Sequence, residues 1–164
     1  MSEAIHFYAE YKGTVFNMQF GIKTGNDIVD TVLYQKKLYC DKNGILLKYL
    51  VQGELFSQID GNDLYTLLSN ALNNASEASI QLSSSEKRII SFVTGKQNDS
   101  VLIEVTNFFN PLSQVKSGTS KQDKQHHGYG IRSMQYVTSL YKGTLNYYTQ
   151  GDIFFLTISL PLHL

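Results

Sequence analysis

The chain has 164 residues, with 14 Lys and Arg against 14 Asp and Glu, and this balance excludes the broad basic surface on which non-specific nucleic-acid binding depends. The single cysteine, Cys40, excludes an internal disulfide and favours a reducing compartment, so we expect a cytoplasmic protein. No signal peptide and no membrane segment can be recognised in the chain, so any membrane-spanning part of the parent protein would lie outside it.

Hydrophobic periodicity and turn residues predict helices that alternate with strands. Residues 27–42 form a one-sided apolar helix with Asn26 or Thr24 as its N-cap and Gly44 just after its end. Residues 108–127 have no regular period and predict a long mobile loop. The predicted elements, in chain order, are a helix over 27–42, a strand over 45–51, a helix over about 63–79, strands over 87–94 and 101–106, a helix over about 130–141, and strands over 144–149 and 153–160.

This order of elements predicts a two-layer α/β fold, an α+β sandwich. Tight turns join strands that are adjacent in sequence, which favours antiparallel pairing and gathers the helices on one face. We expect a mixed, largely antiparallel sheet of about five strands with about three helices on one face. Residues 1–21 are expected to be a lead-in, either the remnant of a preceding helical domain or a poorly ordered start, and residues 22–164 the folded domain.

The helix NDLYTLLSNALNNASEAS carries asparagines at the edge of its apolar arc. At about 100° per residue, Asn70 and Asn74 stack on one face, beside the arc of leucines and alanines, and Glu77 follows on the same side. One interpretation is a polar face that is simply solvated. The other is that the asparagines line a cleft, where an amide oxygen completes the shell of Mg²⁺, an ion that takes few protein ligands and leaves the rest to water and phosphate.

The stretch HHGYGIRSMQYV, residues 126–137, places two glycines before a predicted helix. Gly128 and Gly130 allow a tight turn and a close approach to a ligand. A helix that begins near Ile131 offers unpaired N–H groups, which attract anions. The stretch lacks the third glycine of a dinucleotide fingerprint and the G-K-[ST] of a phosphate-binding P-loop. It is either a simple turn or, in combination with the asparagine-edged helix and the polar loop, a phosphate site.

Together these segments resemble the ATP-binding catalytic domain of sensor histidine kinases, a member of the GHKL (Bergerat-fold) superfamily, and in particular the peptide-sensing quorum kinases. The resemblance extends over residues 22–162. DLYTLLSNALNNASEAS resembles the N-box, SGTSKQDKQHHGYGIRSM the lid and second glycine box, IKTGNDIVDTVLYQKK the T-G-N-x-x-x-D lead helix, and FFLTISLPL the last strand.

The resemblance implies that the chain binds ATP with Mg²⁺ and transfers the γ-phosphate to a histidine on a separate dimerisation and phosphoacceptor domain, which serves a response regulator. Asn74 falls on the magnesium-ligand position, and Asn70 and Lys121 fall on catalytic positions. Asn107 takes the place of the aspartate that binds adenine in most of these kinases. The implied nucleotide-binding residues are Asn70, Asn74, Asn107, Thr119, Ser120, Lys121, His127, Gly128, Gly130 and Ile131.

Two departures from the family pattern keep other interpretations open. The D-x-G-x-G motif is missing after VLIEV, so Asn107 offers an amide in place of a carboxylate, unless it is only a turn residue. None of the four histidines, His6, His126, His127 and His163, is followed by the pattern of an acceptor helix. The alternatives are another GHKL ATPase, either an anti-sigma-type serine kinase or a chaperone- or repair-type enzyme, and a degenerate nucleotide-binding interaction module.

Overall fold

The computed structural model describes residues 21–116 and 123–163, with side chains for 21–113 and 128–163. The lead-in predicted for 1–21 therefore lies outside the described residues except for Gly21, and so do Thr119, Ser120 and Lys121. In chain order the elements are helix α1 (Asp27–Lys42), strand β1 (Leu46–Leu50), a 3₁₀ turn (Gly53–Phe56), helix α2 (Gly61–Ile80), a 3₁₀ turn (Ser85–Lys87), strands β2 (Ile89–Gln97) and β3 (Ser100–Phe108), helix α3 (Pro111–Lys116), helix α4 (Asp123–Leu140), and strands β4 (Thr144–Gln150) and β5 (Ile153–Pro161).

The five strands form one sheet in the order β1-β2-β3-β5-β4. β1 runs parallel to β2 because α2 carries the chain back across the sheet between them, and the other neighbours are antiparallel. The prediction of a mixed, largely antiparallel sheet is confirmed.

The core lies between the sheet and one layer of helices. Every second residue of β3 from Val101 to Asn107 is buried, and the apolar members of this set pair with the buried side chains of β5. α2 packs over β3 and contacts α1 on one side and α4 on the other. The central helix of the layer is thus the one that carries the asparagines. The largest fully buried side chains are Phe56, Phe92, Leu33, Leu64, Leu67, Leu68, Leu72, Ile90, Ile103, Met134, Ile158 and Leu160.

The T-G-N-x-x-x-D segment is a capping structure at the start of α1. The side chain of Asn26 accepts hydrogen bonds from the backbone N–H groups of Ile28 and Val29, which confirms it as the N-cap. The carboxylate of Asp30 accepts from the backbone N–H of Thr24 at 2.7 Å and from its hydroxyl at 2.6 Å. These contacts fix the chain that enters the first helix.

Gly53 lies against this capping structure and donates its N–H to the carbonyl of Thr24 at 2.8 Å. A Cβ on Gly53 would lie 2.9 Å from that carbonyl oxygen and would collide with the Thr24 side chain. We expect Gly53→Ala to lower the free energy of unfolding by roughly 1–3 kcal/mol, the usual cost of overpacking. Urea denaturation measures the change. Gly95→Ala is the matched control, since a Cβ there meets nothing within 4 Å, and equal stability of both variants would contradict the prediction.

The last helix differs from its predicted bounds. α4 begins at Asp123 and not near residue 130, so Gly128 and Gly130 lie inside a helix, and the predicted loop 108–127 contains the short helix α3. Glycine costs about 1 kcal/mol relative to alanine in a helix interior, which is why the sequence pattern favoured a turn. Packing along α2 outweighs this cost, and a Cβ on Gly130 would meet the side chains of Asn74 and Asn70 of that helix.

Candidate functional site

Two asparagines of α2 face a glycine of α4. A Cβ on Gly130 would lie 3.1 Å from Oδ1 of Asn74 and 3.6 Å from Oδ1 of Asn70. Both asparagines are only partly buried, at the rim of the apolar face of α2. The structure therefore brings together three of the predicted site residues, with two amide oxygens directed into one gap between helices.

Local hydrogen bonds distinguish the two amides. Nδ2 of Asn70 donates to the carbonyl oxygen of Thr66 at 2.9 Å, which leaves its Oδ1 directed at α4. In the part of the chain that the structure describes, the amide of Asn74 has no hydrogen-bond partner. Amide oxygens placed in this way suit a hard cation such as Mg²⁺, which prefers oxygen ligands. Among the described residues there is no cluster of three His, Cys, Asp or Glu side chains that could hold a metal ion on its own, so phosphate oxygens and water would complete such a shell.

The third asparagine of this helix, Asn73, faces the other way. Its Oδ1 accepts a hydrogen bond from Nζ of Lys36 in α1 at 2.7 Å, and the same ammonium donates to the hydroxyl of Ser76 at 3.2 Å and lies 4.8 Å from the ring centre of Tyr39. Lys36 is buried, and its burial lowers the pKa of the ammonium. The contact ties α2 to α1 on the side opposite the candidate site.

Sequence reasoning missed Lys36, although a signal was present. The buried positions of α1 are Val29, Val32, Leu33, Lys36 and Cys40, so the lysine continues the helical period of the apolar residues. A lysine on the apolar stripe of a helix needs polar partners on a neighbouring element. Here the partners, Asn73 and Ser76, belong to α2, the helix with the asparagines.

Asn107 lies near the end of the central strand and is 4% exposed. Its Nδ2 donates to the carbonyl oxygen of Phe108 at 2.9 Å, and its backbone is paired with Ile90 and Phe154. The alternative interpretation of Asn107 as a turn residue is wrong, because the residue belongs to β3. Its side chain is on the face of the sheet that the helices cover, at the end where the chain continues into residues 108–127.

The backbone amides of the glycine stretch are not at a helix start. Only the first four N–H groups of a helix lack partners within it, and in α4 these belong to residues 123–126. The amides of Gly128, Gly130 and Ile131 are therefore interior, and the predicted anion site at a helix start near Ile131 is wrong in position. Ile131 packs against the core, and the side chain of His127 lies outside the described part.

Tyr141, just beyond α4, holds that helix in place. Its hydroxyl donates to the carboxylate of Asp63 at 2.7 Å and accepts from the backbone N–H of Asp60 at 3.0 Å. Burial and the hydrogen bond to Asp63 raise the pKa of the phenol. The end of α4 is thereby attached to the start of α2, so the two helices run antiparallel, and the early turns of α4 pass beside Asn70 and Asn74. Sequence reasoning did not identify this contact.

Three comparisons place the fold among known proteins. Residues 59–161 match the family model of the GHKL domain. The histidine kinase AdeS of Acinetobacter baumannii is similar in structure at 16% identity, with a TM-score of 0.57, over 84% of this chain and 64% of that one. The catalytic domain of histidine kinase ThkA, in a nucleotide-free orthorhombic form, is similar at 15% identity, with a TM-score of 0.60, over 88% of this chain and 96% of that one.

A second nucleotide-free form of the ThkA catalytic domain gives 14% identity and a TM-score of 0.58, over 88% of this chain and 97% of that one. Curated proteins give no match. At these sequence identities, the likeness to solved structures shows a shared fold and nothing more specific. This chain spans less than two thirds of the AdeS chain, and no helix in its described part is both long enough and apolar enough to cross a membrane.

Proposed function

We propose that this chain, which belongs to the GHKL domain family, is the ATP-binding catalytic domain of a sensor histidine kinase. The observation that carries the proposal is the gap in which the amide oxygens of Asn70 and Asn74 face Gly130. The domain would transfer the γ-phosphate of ATP to a histidine on a separate dimerisation and phosphoacceptor domain, in the same parent chain or in trans. Two of the solved structures that share its fold, AdeS and the ThkA catalytic domain, are histidine kinases, which supports this choice within the family.

The magnesium nucleotide is expected at the gap between α2 and α4. Oδ1 of Asn74 would be the direct protein ligand of Mg²⁺, and Oδ1 of Asn70 would hold a water of its shell. When bound, Mg²⁺ neutralises charge on the phosphate oxygens. Lys121, Thr119, Ser120 and His127 are proposed to contact the phosphates, as the resemblance to the lid of the family implies. In-line attack by a neutral imidazole needs no strong base, which is consistent with an amide at position 70.

The adenine is expected at Asn107. Its Nδ2 is engaged with the carbonyl of Phe108, so its Oδ1 is the group that would accept a hydrogen bond from the adenine amino group. Asn107 is buried, and the low local dielectric strengthens such a bond. The bond is nevertheless not assisted by charge, as it would be with a carboxylate, and we therefore expect a modest affinity.

The experiment that tests the function is a calorimetric titration of the chain with ADP and ATP in the presence of Mg²⁺. We expect a dissociation constant of tens to hundreds of micromolar, roughly 5–6 kcal/mol. Omission of Mg²⁺ should weaken binding strongly, because the amide of Asn74 contributes through the ion. Absence of binding at millimolar nucleotide would contradict the proposal and favour an interaction module.

The glycines of α4 offer a paired test of the site. Gly130→Ala places a methyl group 3.1 Å from Oδ1 of Asn74, so we expect nucleotide affinity to fall about tenfold, while the gain in helix propensity of about 1 kcal/mol keeps the domain stable. Gly128→Ala is the control, since a Cβ there meets nothing within 4 Å. If the amides of residues 128–131 contact the phosphates only after the first turns of α4 unfold, the higher helix propensity of alanine opposes this unfolding by about 1 kcal/mol. The control should then lose at most about fivefold in nucleotide affinity. If the two substitutions lowered nucleotide affinity equally, the close approach of Gly130 to Asn74 could not explain the loss.

The finer assignment is the peptide-sensing quorum subfamily. The T-G-N-x-x-x-D lead helix and the asparagine at position 107 support it, since the resemblance to that subfamily implies an asparagine in place of the adenine-binding aspartate as well as this lead helix. The partners we propose are the phosphoacceptor domain and, through it, a response regulator. We propose a cytoplasmic location, on the inner side of the membrane if the parent protein is a membrane-bound sensor.

A further inference from the structure

Among the strands that the structure describes, β4 forms an open edge of the sheet. Six of its seven residues are exposed, and among the described elements its only strand neighbour is β5. It contains no charged residue and no proline, and its pairing with β5 runs without interruption from Thr144 opposite Ser159 to Gln150 opposite Ile153, so no bulge turns the edge away. Charges, prolines and bulges are the usual features that prevent an edge strand from pairing with another chain.

The opposite edge of the same sheet is different. β1 has five residues, and its central residue is Lys48, the residue type most often used to protect an edge. Within the described residues, the sheet is thus protected at the β1 edge and left open at the β4 edge.

Two exposed tyrosines make the open edge partly apolar. Tyr147 is 51% exposed and stacks on Phe154 with ring centres 6.0 Å apart, and Tyr148 is 45% exposed and stacks on Phe155 at 4.7 Å. Successive residues of a strand point to opposite faces, so each face of the edge has one aromatic ring that is already held in position. On an antiparallel edge, every second residue also directs its N–H and C=O away from the sheet.

We propose that β4 pairs antiparallel with β4 of a second copy of this chain, so that two five-stranded sheets form one continuous sheet of ten. A two-fold axis through Tyr147 places this residue opposite itself, Asn146 opposite Tyr148, and Leu145 opposite Thr149. The two residues of each pair then point to the same face of the joined sheet, and no like charges meet. The inference rests on the strand alone and does not depend on the proposed function.

Because edge pairing buries less surface than a standard interface, we expect weak association, with a dissociation constant on the order of 100 μM. Sedimentation velocity on the whole chain between about 10 μM and 1 mM tests it, and the expected result is a concentration-dependent shift from monomer to dimer. Tyr147→Lys, which sets two ammonium groups opposite each other, and Thr149→Lys, which leaves both aromatic stacks intact, should each abolish the shift. Tyr136→Lys changes a tyrosine that is 65% exposed on α4 and should leave the shift unchanged.

A second experiment tests the register. Tyr147→Cys should form a disulfide between two copies under mild oxidation, since residues directly opposite in a sheet lie within disulfide reach, whereas Tyr136→Cys should not. A chain that stays monomeric at 1 mM, or a dimer that survives both lysine substitutions in β4, would overturn the proposal. Nucleotide titration of the same variants separates this result from the proposed function, because the nucleotide site lies between α2 and α4 and the edge substitutions should not affect it.

Discussion

Replacement of Asn74 by alanine is expected to remove magnesium-dependent nucleotide binding and to leave the domain folded. Asn74 is at the rim of α2 and not in the core, so the loss of its amide costs little packing. The amide oxygen is the proposed direct ligand of the ion, and a contact with a charged group contributes about 1.5–3 kcal/mol, which corresponds to a loss of roughly 10- to 150-fold in affinity. From a modest starting affinity, that loss would bring binding close to the limit of detection.

Calorimetric titration with and without Mg²⁺, on protein whose melting temperature has been checked, measures the effect. Asn73→Ala is the matched control, since it removes the neighbouring amide of the same helix on the side that contacts Lys36. We expect this control to lose some stability and to keep its magnesium-dependent binding. If Asn74→Ala binds nucleotide as the unchanged chain does, the asparagine face is only solvated, and the metal site proposed here is wrong.

Incubated alone with labelled ATP, the chain is expected to show no histidine phosphorylation and only very slow hydrolysis. The two results have separate causes. None of its four histidines is in an acceptor-type sequence, and position 70 has an amide, which cannot act as the general base that activates water. Addition of a fragment with the dimerisation and phosphoacceptor helices should restore transfer in trans. The rate should be well below that of a joined protein, because the local concentration of the acceptor is lost.

Acid-labile, base-stable label separates phosphohistidine from other products. Such label on this chain alone, retained after purification and after substitution of contaminant sites, would show that the assignment of the acceptor to another domain is wrong. Rapid turnover of ATP without a partner would instead favour the chaperone- or repair-type ATPase.

Elements with strong local signals were predictable from the sequence. The bounds of α1, Asp27–Lys42, agree with the prediction because the N-cap Asn26 and the residues Asn43 and Gly44 after the helix are local features. The sheet also follows from local patterns, since β2 and β3 are joined by a hairpin turn and each alternates buried with less buried residues.

The remaining features depend on contacts between distant parts of the chain. The start of α4 could not be read from propensity, because packing against α2 compensates for two glycines inside the helix. Lys36 and Tyr141 form hydrogen bonds with residues that are 37 and 78 positions away in the sequence. Local sequence patterns do not predict contacts at such separations. The pairing of Asn70 and Asn74 was predictable from their spacing, whereas the surface they face was not.

The attachment of Tyr141 to the start of α2 has a consequence for how the domain can respond to a ligand. α4 is held at its end by two hydrogen bonds, and from Gly130 to Tyr141 it extends about 16 Å at 1.5 Å per residue. A force applied near Gly130 would therefore tilt the helix about a fixed pivot, with the largest displacement at its early turns and almost none at the turn into β4. Just after the pivot, a Cβ on Gly143 would lie 2.5 Å from the carbonyl oxygen of Ser159, so the backbone of this turn is packed closely against β5. A displacement of α4 at Gly130 would thus move its early turns and leave the turn into β4, and the sheet behind it, in place.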